Sequence, residues 1–231
     1  MIVNNGTGKI GFSIKTKINR PNKSLYELIS SLSTPNLSDA MNRFGAMDFN
    51  VKPISSNCKF IGPAITVRVR PGDNLMIHKA IDIAETGDVI IISTGDCSTN
   101  AVWGELTTRA ALKKGIAAVV VDGAVRDIKE IEELGFPVYA KYIIPAGCDK
   151  DGPGEINEII TCGGVAVSPG DIVVGDENGV VVIPPHLAED VIQNSKKKLE
   201  YEAKRIGDIK AGVVISSDID DILRKKGVII D

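Results

Sequence analysis

Short apolar segments alternate with amphipathic segments through the middle of the chain. Residues 65–69 alternate between apolar and polar as a half-buried strand does, while residues 89–92 and 117–121 are continuous β-branched runs typical of fully buried strands. Between these segments, apolar residues at helical spacing predict three helices, which end near Gly87, Gly115 and Gly135. Residues 136–142 predict a further strand. This alternation indicates a layered α/β core.

The segments that precede this core are more polar. Residues 1–20 predict an irregular N-terminal arm, and residues 24–31 predict a first helix. A second helix is expected to begin with Thr34 as its cap and Pro35 at its first position, where a missing amide costs nothing. Within the core, residues 93–100 are rich in Gly, Ser, Thr and Asp and predict a loop, and Asp73 is expected to cap the helix that follows it.

After the core the pattern changes to short strands joined by tight turns. Residues 163–184 contain three apolar triplets separated by Gly, Asp and Asn, which predicts an antiparallel β unit. Residues 186–231 predict a C-terminal helical extension with segments starting at His186 and Ser217. At this length we expect one domain over residues 1–231.

Composition excludes several classes of protein. The formal net charge of -3, without a clustered basic surface, argues against a nucleic-acid partner. No apolar run approaches the roughly 20 residues that a membrane helix needs, so we expect a cytoplasmic protein with no membrane partner. The four cysteines are widely separated and form no Cys-x-x-Cys pair, which indicates free thiols.

The strongest candidate site lies at the end of the strand over residues 117–121, where Arg126 and Asp127 follow directly. Strand ends that open into loops are where parallel sheets place their chemistry. Asp127 is also followed three residues later by Glu130, which is a capping-box pattern. Asp127 can therefore serve as a helix cap, as a functional carboxylate, or as both.

A second candidate is the helix start at residues 103–106. Unpaired amides and the positive end of the helix dipole favour an anion there, and Gly104 permits close approach. Each residue also has a structural interpretation. A tryptophan such as Trp103 is more often part of the core than of a substrate wall. Gly104 can serve as a packing contact between helix and sheet, and Glu105 is by default an exposed helix residue.

Several motifs, taken together, resemble one known family: residues 38–41 (SDAM), 62–67 (GPAITV), 71–74 (PGDN), 103–106 (WGEL), 123–127 (GAVRD) and 169–180. The chain resembles the regulator of ribonuclease activity A-like proteins, which include the class II 4-hydroxy-4-methyl-2-oxoglutarate/4-carboxy-4-hydroxy-2-oxoadipate aldolases. The resemblance implies a three-layer β/β/α fold like the swivelling phosphohistidine domain, with terminal helices. It also implies a homotrimer, or a hexamer made of two trimers, with sites between subunits.

The resemblance further implies an activity. Aldolase members of the family carry Arg-Asp at this strand end, the Asp helping to hold a divalent metal, so the presence of Asp127 favours a lyase acting on a small 2-oxo acid. Cleavage must stabilise a pyruvate enolate, and no lysine is placed to form a Schiff base, which leaves Mg²⁺ or Mn²⁺ as Lewis acid. Oxaloacetate decarboxylation is the expected side activity. The alternative is a non-catalytic protein that regulates a ribonuclease.

The motifs and the resemblance together give roles to seven residues. Arg126, Asp127 and Glu105 are the candidate catalytic residues, with Asp127 as metal ligand and Arg126 donating to the enolate oxygen. Trp103, Gly104, Glu105, Leu106 and Arg126 are the candidate substrate-binding residues. A water acting as base would be held by Glu105, or by a glutamate from a neighbouring subunit, for which Glu202 is the candidate.

Overall fold

The computed structural model describes residues 10–216 and 218–229. Seven α-helices lie in these residues: α1 (Lys23–Ser30), α2 (Thr34–Ala40), α3 (Leu75–Ile83), α4 (Glu105–Lys114), α5 (Ile128–Leu134), α6 (Ala188–Lys210) and α7 (Ile219–Lys225). The strands are β1 (Phe12–Ile14), β2 (Lys52–Pro53), β3 (Phe60–Val69), β4 (Val89–Trp103), β5 (Ala118–Val125), β6 (Val138–Ile143), β7 (Gly154–Ile156), β8 (Ile160–Cys162), β9 (Val165–Val167), β10 (Ile172–Asp176) and β11 (Gly179–Ile183). The predicted alternation of strands and helices in the core is confirmed.

The centre of the fold is a parallel sheet in which β3, β4, β5 and β6 lie side by side in chain order. The register pairs Ile65 with Ile90, Ile90 with Val119 and Val119 with Val138. Strands β7 and β1 extend the sheet beyond β3, and β2 extends it beyond β6. Because the four parallel strands end on the same side, the ends of β4, β5 and β6 meet at one edge.

Each central strand faces two different layers. In β5, Val119 and Val121 pack with the helical layer of α3, α4 and α5, whereas Ala118 and Val120 face the opposite layer. Both faces are therefore buried, which explains why the strand is a continuous apolar run and does not alternate with polar residues.

The opposite layer is a second β unit. Strands β10 and β11 form an antiparallel pair, as predicted. On its other side, β10 pairs antiparallel with the first half of β3. Val173 and Val182 of this pair face the central sheet, while Ile172 and Ile183 face outwards onto α1, α2 and α6. The β/β/α arrangement is thus covered on its β side by a further helical layer, to which α6 of the predicted C-terminal extension belongs. The specific likeness to the swivelling phosphohistidine domain stays a prediction.

Three local predictions were wrong. Residues 93–100 are not a separate loop, because β4 continues through them with irregular register, held where the Thr94 hydroxyl donates to the Asp122 carbonyl. Ser33, rather than Thr34, caps α2, and Thr34 instead donates to the buried Asp176. Asp73 accepts from the Leu75 amide, but the cap position of α3 belongs to Asn74.

The two ends of the chain are only partly described. Within the predicted N-terminal arm, residues 1–9 lie outside the described part, and β1 pairs in parallel with β7. Ser217, the predicted start of the last helix, also lies outside the described residues, and α7 begins at Ile219. No helix in the described residues is long and apolar enough to cross a bilayer.

Candidate active site

The end of β5 places Arg126 and Asp127 at the edge where the parallel strands terminate. Every residue of β5 is buried, and the Arg126 amide donates to the Trp103 carbonyl at 3.0 Å, which ties this end to the end of β4. Asp127 then adopts a left-handed conformation with φ of 60° and ψ of 45°, and α5 begins at the next residue. This conformation is uncommon outside glycine, and Asp tolerates it better than most residues do.

The left-handed turn directs the Asp127 side chain away from its own helix. Its carboxylate makes no capping hydrogen bond to α5, so the predicted capping box with Glu130 is wrong. Instead, Oδ2 accepts from the Glu105 amide at 3.0 Å, at the start of α4. Oδ1 has no donor among the described residues, and the side chain is 36% exposed. One carboxylate oxygen is therefore available to a ligand.

Gly104 makes this contact between β5 and α4 possible. A Cβ atom at Gly104 would lie 2.4 Å from Asp127 Oδ2 and 3.1 Å from Arg126 Cγ. Any side chain here would displace the carboxylate. The structural interpretation of Gly104 as a packing contact is therefore confirmed, and close approach of a ligand to this residue stays a prediction.

The first turn of α4 offers two free amides beside this carboxylate. The Gly104 amide is satisfied by the Thr107 hydroxyl and the Glu105 amide by Asp127. For the amides of Leu106 and Thr107, the described part of the chain supplies no acceptor. Two unpaired amides at the positive end of a ten-residue helix form a site for a carboxylate or another anion.

Arg126 is held at the mouth of the same cavity. Its Nε lies 3.6 Å from Asp127 Oδ2, and the guanidinium packs so closely on Gly147 that a Cβ there would lie 2.9 Å from Nη1. The cavity has a volume of about 250 Å³ and is lined by residues from α3, the ends of β4 and β5, and the loop after β6. It is large enough for a small oxo acid but open on the side of Leu106, whose side chain is 79% exposed.

Other predicted site residues are placed differently. The Trp103 indole is buried, donates to the Thr108 hydroxyl at 2.8 Å and stacks on Phe136, so its ring is part of the core. Glu105 accepts from Arg109 at 2.8 Å and does not line the cavity. Glu202 accepts from Asn36 on α2 and is likewise absent from the cavity of its own chain.

The cavity also contains polar residues that the sequence interpretation did not assign to a site: Asn74, His78 and Lys150. Burial, with the nearby Lys150 cation, lowers the pKa of His78, so the imidazole is neutral at pH 7. Asn74 lies in the PGDN motif, and Lys150 follows β6, the neighbour of β5. The rule that loops after adjacent parallel strands converge would have brought Lys150 into consideration.

The residues present are compatible with a weakly held divalent cation. No cluster of three or more His, Cys, Asp or Glu side chains suited to a metal occurs within residues 10–216 and 218–229, and Asp127 is the one carboxylate that lines the cavity. Mg²⁺ commonly keeps several waters and takes one or two carboxylates, with the substrate completing its coordination. Asp127 Oδ1, which has no donor among the described residues and belongs to a partly exposed side chain, suits that role.

Comparison with known proteins identifies the family of this chain. The model of the RraA-like family (Aldolase/RraA) matches residues 34–182. A protein of Halalkalibacterium halodurans, provisionally named as a 4-hydroxy-4-methyl-2-oxoglutarate aldolase, is 44% identical over 73% of this chain and 80% of its own length. A Thermus thermophilus protein named as that aldolase is 32% identical over 65% of this chain and 92% of its own.

A solved Thermus thermophilus structure, described as the RNA-processing inhibitor RraA, superimposes with a TM-score of 0.62 at 32% identity. It covers 66% of this chain and 92% of its own length. The family match includes the start of α4, Arg126 and Asp127. This chain belongs to the RraA-like family.

Proposed function

We propose that this protein is a divalent-metal-dependent lyase that cleaves a 4-hydroxy-2-oxo acid, such as 4-hydroxy-4-methyl-2-oxoglutarate, to pyruvate and a second oxo acid. The proposal rests chiefly on one observation. The free Asp127 oxygen and the Arg126 guanidinium share a cavity with the two unpaired amides of α4. Relatives named as aldolases support the same class of reaction.

The first task of the site is to bind and orient the substrate. The amides of Leu106 and Thr107 would receive the C1 carboxylate, since an anion at this helix start is favoured by both hydrogen bonds and the dipole. The 2-oxo oxygen would then face Arg126. Lys150, also in the cavity, adds a positive charge suited to a substrate with a second carboxylate.

The second task is to stabilise the charge that develops. When the C3–C4 bond breaks, its electron pair moves to C3 and on to the 2-oxo oxygen, which becomes the enolate of pyruvate. Arg126 donates to that oxygen, a contribution commonly worth about 3 kcal/mol or more. A divalent cation on Asp127 would supply Lewis acidity towards the same oxygen.

The third task is to accept the proton of the 4-hydroxyl, which leaves as C4 becomes a carbonyl. Within one chain, Glu105 is engaged by Arg109, and no carboxylate other than Asp127 lines the cavity. We therefore assign the base to a water held by a carboxylate of a neighbouring copy, with Glu202 as the candidate, in a trimer or a pair of trimers. The open side at Leu106 is where that copy would close the cavity.

Oxaloacetate is a natural second substrate. Breaking its C3–C4 bond releases CO₂ and leaves the same enolate, so the amides and Arg126 would act without change. No proton acceptor for a hydroxyl is required. Decarboxylation is therefore expected even if the base is lost.

A panel of 4-hydroxy-2-oxo acids and oxaloacetate tests this function. Pyruvate release would be followed through a coupled lactate dehydrogenase, first with a chelator and then with Mg²⁺ or Mn²⁺ restored. We expect turnover to stop with the chelator and to return with the metal. Turnover that is indifferent to the chelator would contradict the proposed mechanism.

A second candidate is a non-catalytic regulator of ribonuclease activity, favoured by the likeness to the structure described as an RNA-processing inhibitor. It predicts no turnover of any oxo acid. It also predicts that the purified protein binds an RNA-degrading enzyme and reduces its activity. If both results were obtained, the regulatory function would be favoured and the proposed lyase activity would be rejected.

A further inference from the structure

Residues 213–216 and 218–229, near the end of the chain, expose many aliphatic side chains. We call these residues the C-terminal arm. Val214, Ile215 and Ile229 are 69%, 65% and 88% exposed, and α7 within the arm contains no buried residue. A helix that buries nothing gains little stability from its own chain, and such a density of exposed aliphatic residues marks a contact surface.

An apolar groove lies elsewhere on the same chain, at the end of α2 and the start of α6. Its volume is about 540 Å³, and Phe44 beside it is 79% exposed. The larger apolar residues of its lining are Met41, Phe44, Val165, Val182, Leu187 and Val191. This groove is separate from the candidate active site and shares no lining residue with it.

The groove continues into a basic cavity along α6. The two cavities share Ala40, Asn42 and Asn194, and the second contains Arg43 and Lys197. Neither cation forms an ion pair within the described part of the chain. Asp190, in the first turns of α6, lines the apolar groove. It precedes Lys197 by seven residues, which is about 10 Å along the helix axis.

The arm carries the complementary arrangement of charges. Asp220 and Asp221 lie in the first turn of α7, and Arg224 and Lys225 lie in its last turn. If α7 packs antiparallel to α6, the acidic end faces Lys197 and the basic end faces Asp190. The aliphatic residues Ile219 and Ile222, three positions apart on one face, then meet the apolar lining.

The groove and the arm of one chain are at opposite ends of α6. Arg205 donates to the carbonyls of Val213 and Val214 at 2.9 and 2.6 Å, which anchors the arm near the end of the helix. Fourteen residues, about 21 Å, separate Arg205 from Val191 in the groove. We propose that the C-terminal arm of one copy packs in the groove of a second copy, with α7 antiparallel to α6.

Cross-linking between two differently tagged chains tests this exchange. One chain would carry Ile222→Cys in the arm and the other Ala166→Cys, an exposed groove position, each with Cys148→Ser because the other three cysteines are buried. We expect oxidation to yield a covalent pair containing both tags. Lys129→Cys, on the remote helix α5, is the matched control for the groove position and should give no such pair.

Two results would overturn the proposal. The absence of a mixed pair would show that the arm does not occupy the groove of a second copy. A cross-link that forms only when both cysteines are on one chain would show that the arm occupies its own groove.

Charge reversal provides an independent measurement. Arg43→Glu with Lys197→Glu is expected to raise the dissociation constant of the assembly about tenfold, and Asp220→Lys with Asp221→Lys should do the same. Combining the four changes in one chain should restore most of the loss. Lys196→Glu, next to Lys197 but outside the groove, is the control. Unchanged association in both double variants would contradict the proposed orientation.

Discussion

Strand β5 and the turn that follows it carry two aspartates, five residues apart, with opposite surroundings. Asp122 is buried: its Oδ1 lies 2.6 Å from Lys141 Nζ, and its Oδ2 accepts from the Gly163 amide. Asp127 is partly exposed, with one oxygen on the Glu105 amide and the other free. Asp122 has both oxygens engaged by its own chain, whereas Asp127 has one oxygen left for a ligand.

The difference shows what distinguishes a structural carboxylate from a candidate catalytic one on the same strand. Lys141 also reaches Asp96 at 3.2 Å, so Asp122 is paired with a cation of its own chain and has no charge left for a ligand to balance. Around Asp127, by contrast, Arg126 and Lys150 leave a positive cavity that an anionic substrate would neutralise. We expect changes at Asp122 to affect stability and changes at Asp127 to affect activity.

Replacing Asp127 with Asn should have the largest effect. The amide oxygen can still accept from Glu105, so the free energy of unfolding should change by less than about 1 kcal/mol. The negative charge is lost, however, and kcat/KM for pyruvate release should fall by about 10²–10³. Steady-state kinetics and urea unfolding of the same preparation would check both. A variant that keeps most of its activity would place the metal elsewhere.

Replacing Asp122 with Asn should have the opposite profile. Lys141 would lose its closest counter-charge in a buried position, and the free energy of unfolding should fall by about 3 kcal/mol. Activity of the folded fraction should stay close to that of the original protein. Adding Lys141→Met removes the lysine charge that has lost its buried partner and should recover part of the stability. If Asp122→Asn instead lowers kcat in a fully folded protein, the contrast between the two aspartates fails.

Gly104→Ala tests whether the position of the Asp127 carboxylate matters. The new Cβ would lie 2.4 Å from Oδ2, so the carboxylate must move, and we expect kcat/KM to fall about tenfold. Gly104 has an extended backbone that alanine can adopt, so stability should change little. Gly207→Ala on α6, where the added methyl meets open space, is the matched control and should leave activity unchanged.

The smallest effect is a difference in pH dependence. Burial lowers the pKa of Lys141, but hydrogen bonds and charge from Asp122 and Asp96 outweigh burial and raise it above the usual 10.5. A raised lysine pKa contributes stability that is complete below pH 10.5 and is lost as pH rises through the folded value. Unfolding measured from pH 9 upwards should therefore show a steeper alkaline loss than in Lys141→Met. If the free energy of unfolding falls equally with pH in the two proteins, the ion pair of Lys141 does not contribute to stability.

Much of the fold could be predicted from the sequence because the spacing of apolar residues depends on which faces of a strand or helix are buried. The continuous apolar run of β5 and the glycine after α4 each have one physical explanation, and both predictions are confirmed. Residues 93–100 lack that pattern. Their extended conformation depends on contacts with β5, such as the hydrogen bond from Thr94 to the Asp122 carbonyl, which local sequence does not reveal.

Residues for a candidate site could be selected from the sequence, but their hydrogen bonds could not be predicted from it. Local sequence favours Asp127 as a cap for α5, yet the left-handed turn directs its carboxylate to α4, twenty-two residues earlier. Likewise, Trp103 appears in a motif at the site, but its ring is part of the core. Tertiary geometry determines which atoms of a motif face the cavity.

Binding of Mn²⁺ is the most direct test of the role given to Asp127, because it does not depend on turnover. Titration followed by electron paramagnetic resonance, in the presence of pyruvate, would compare the original protein with Asp127→Asn and with Asp122→Asn. We expect one Mn²⁺ per chain in the original protein and in Asp122→Asn, and a large loss of affinity in Asp127→Asn alone. Equal affinity in all three proteins would contradict the assignment of Asp127 as the metal ligand.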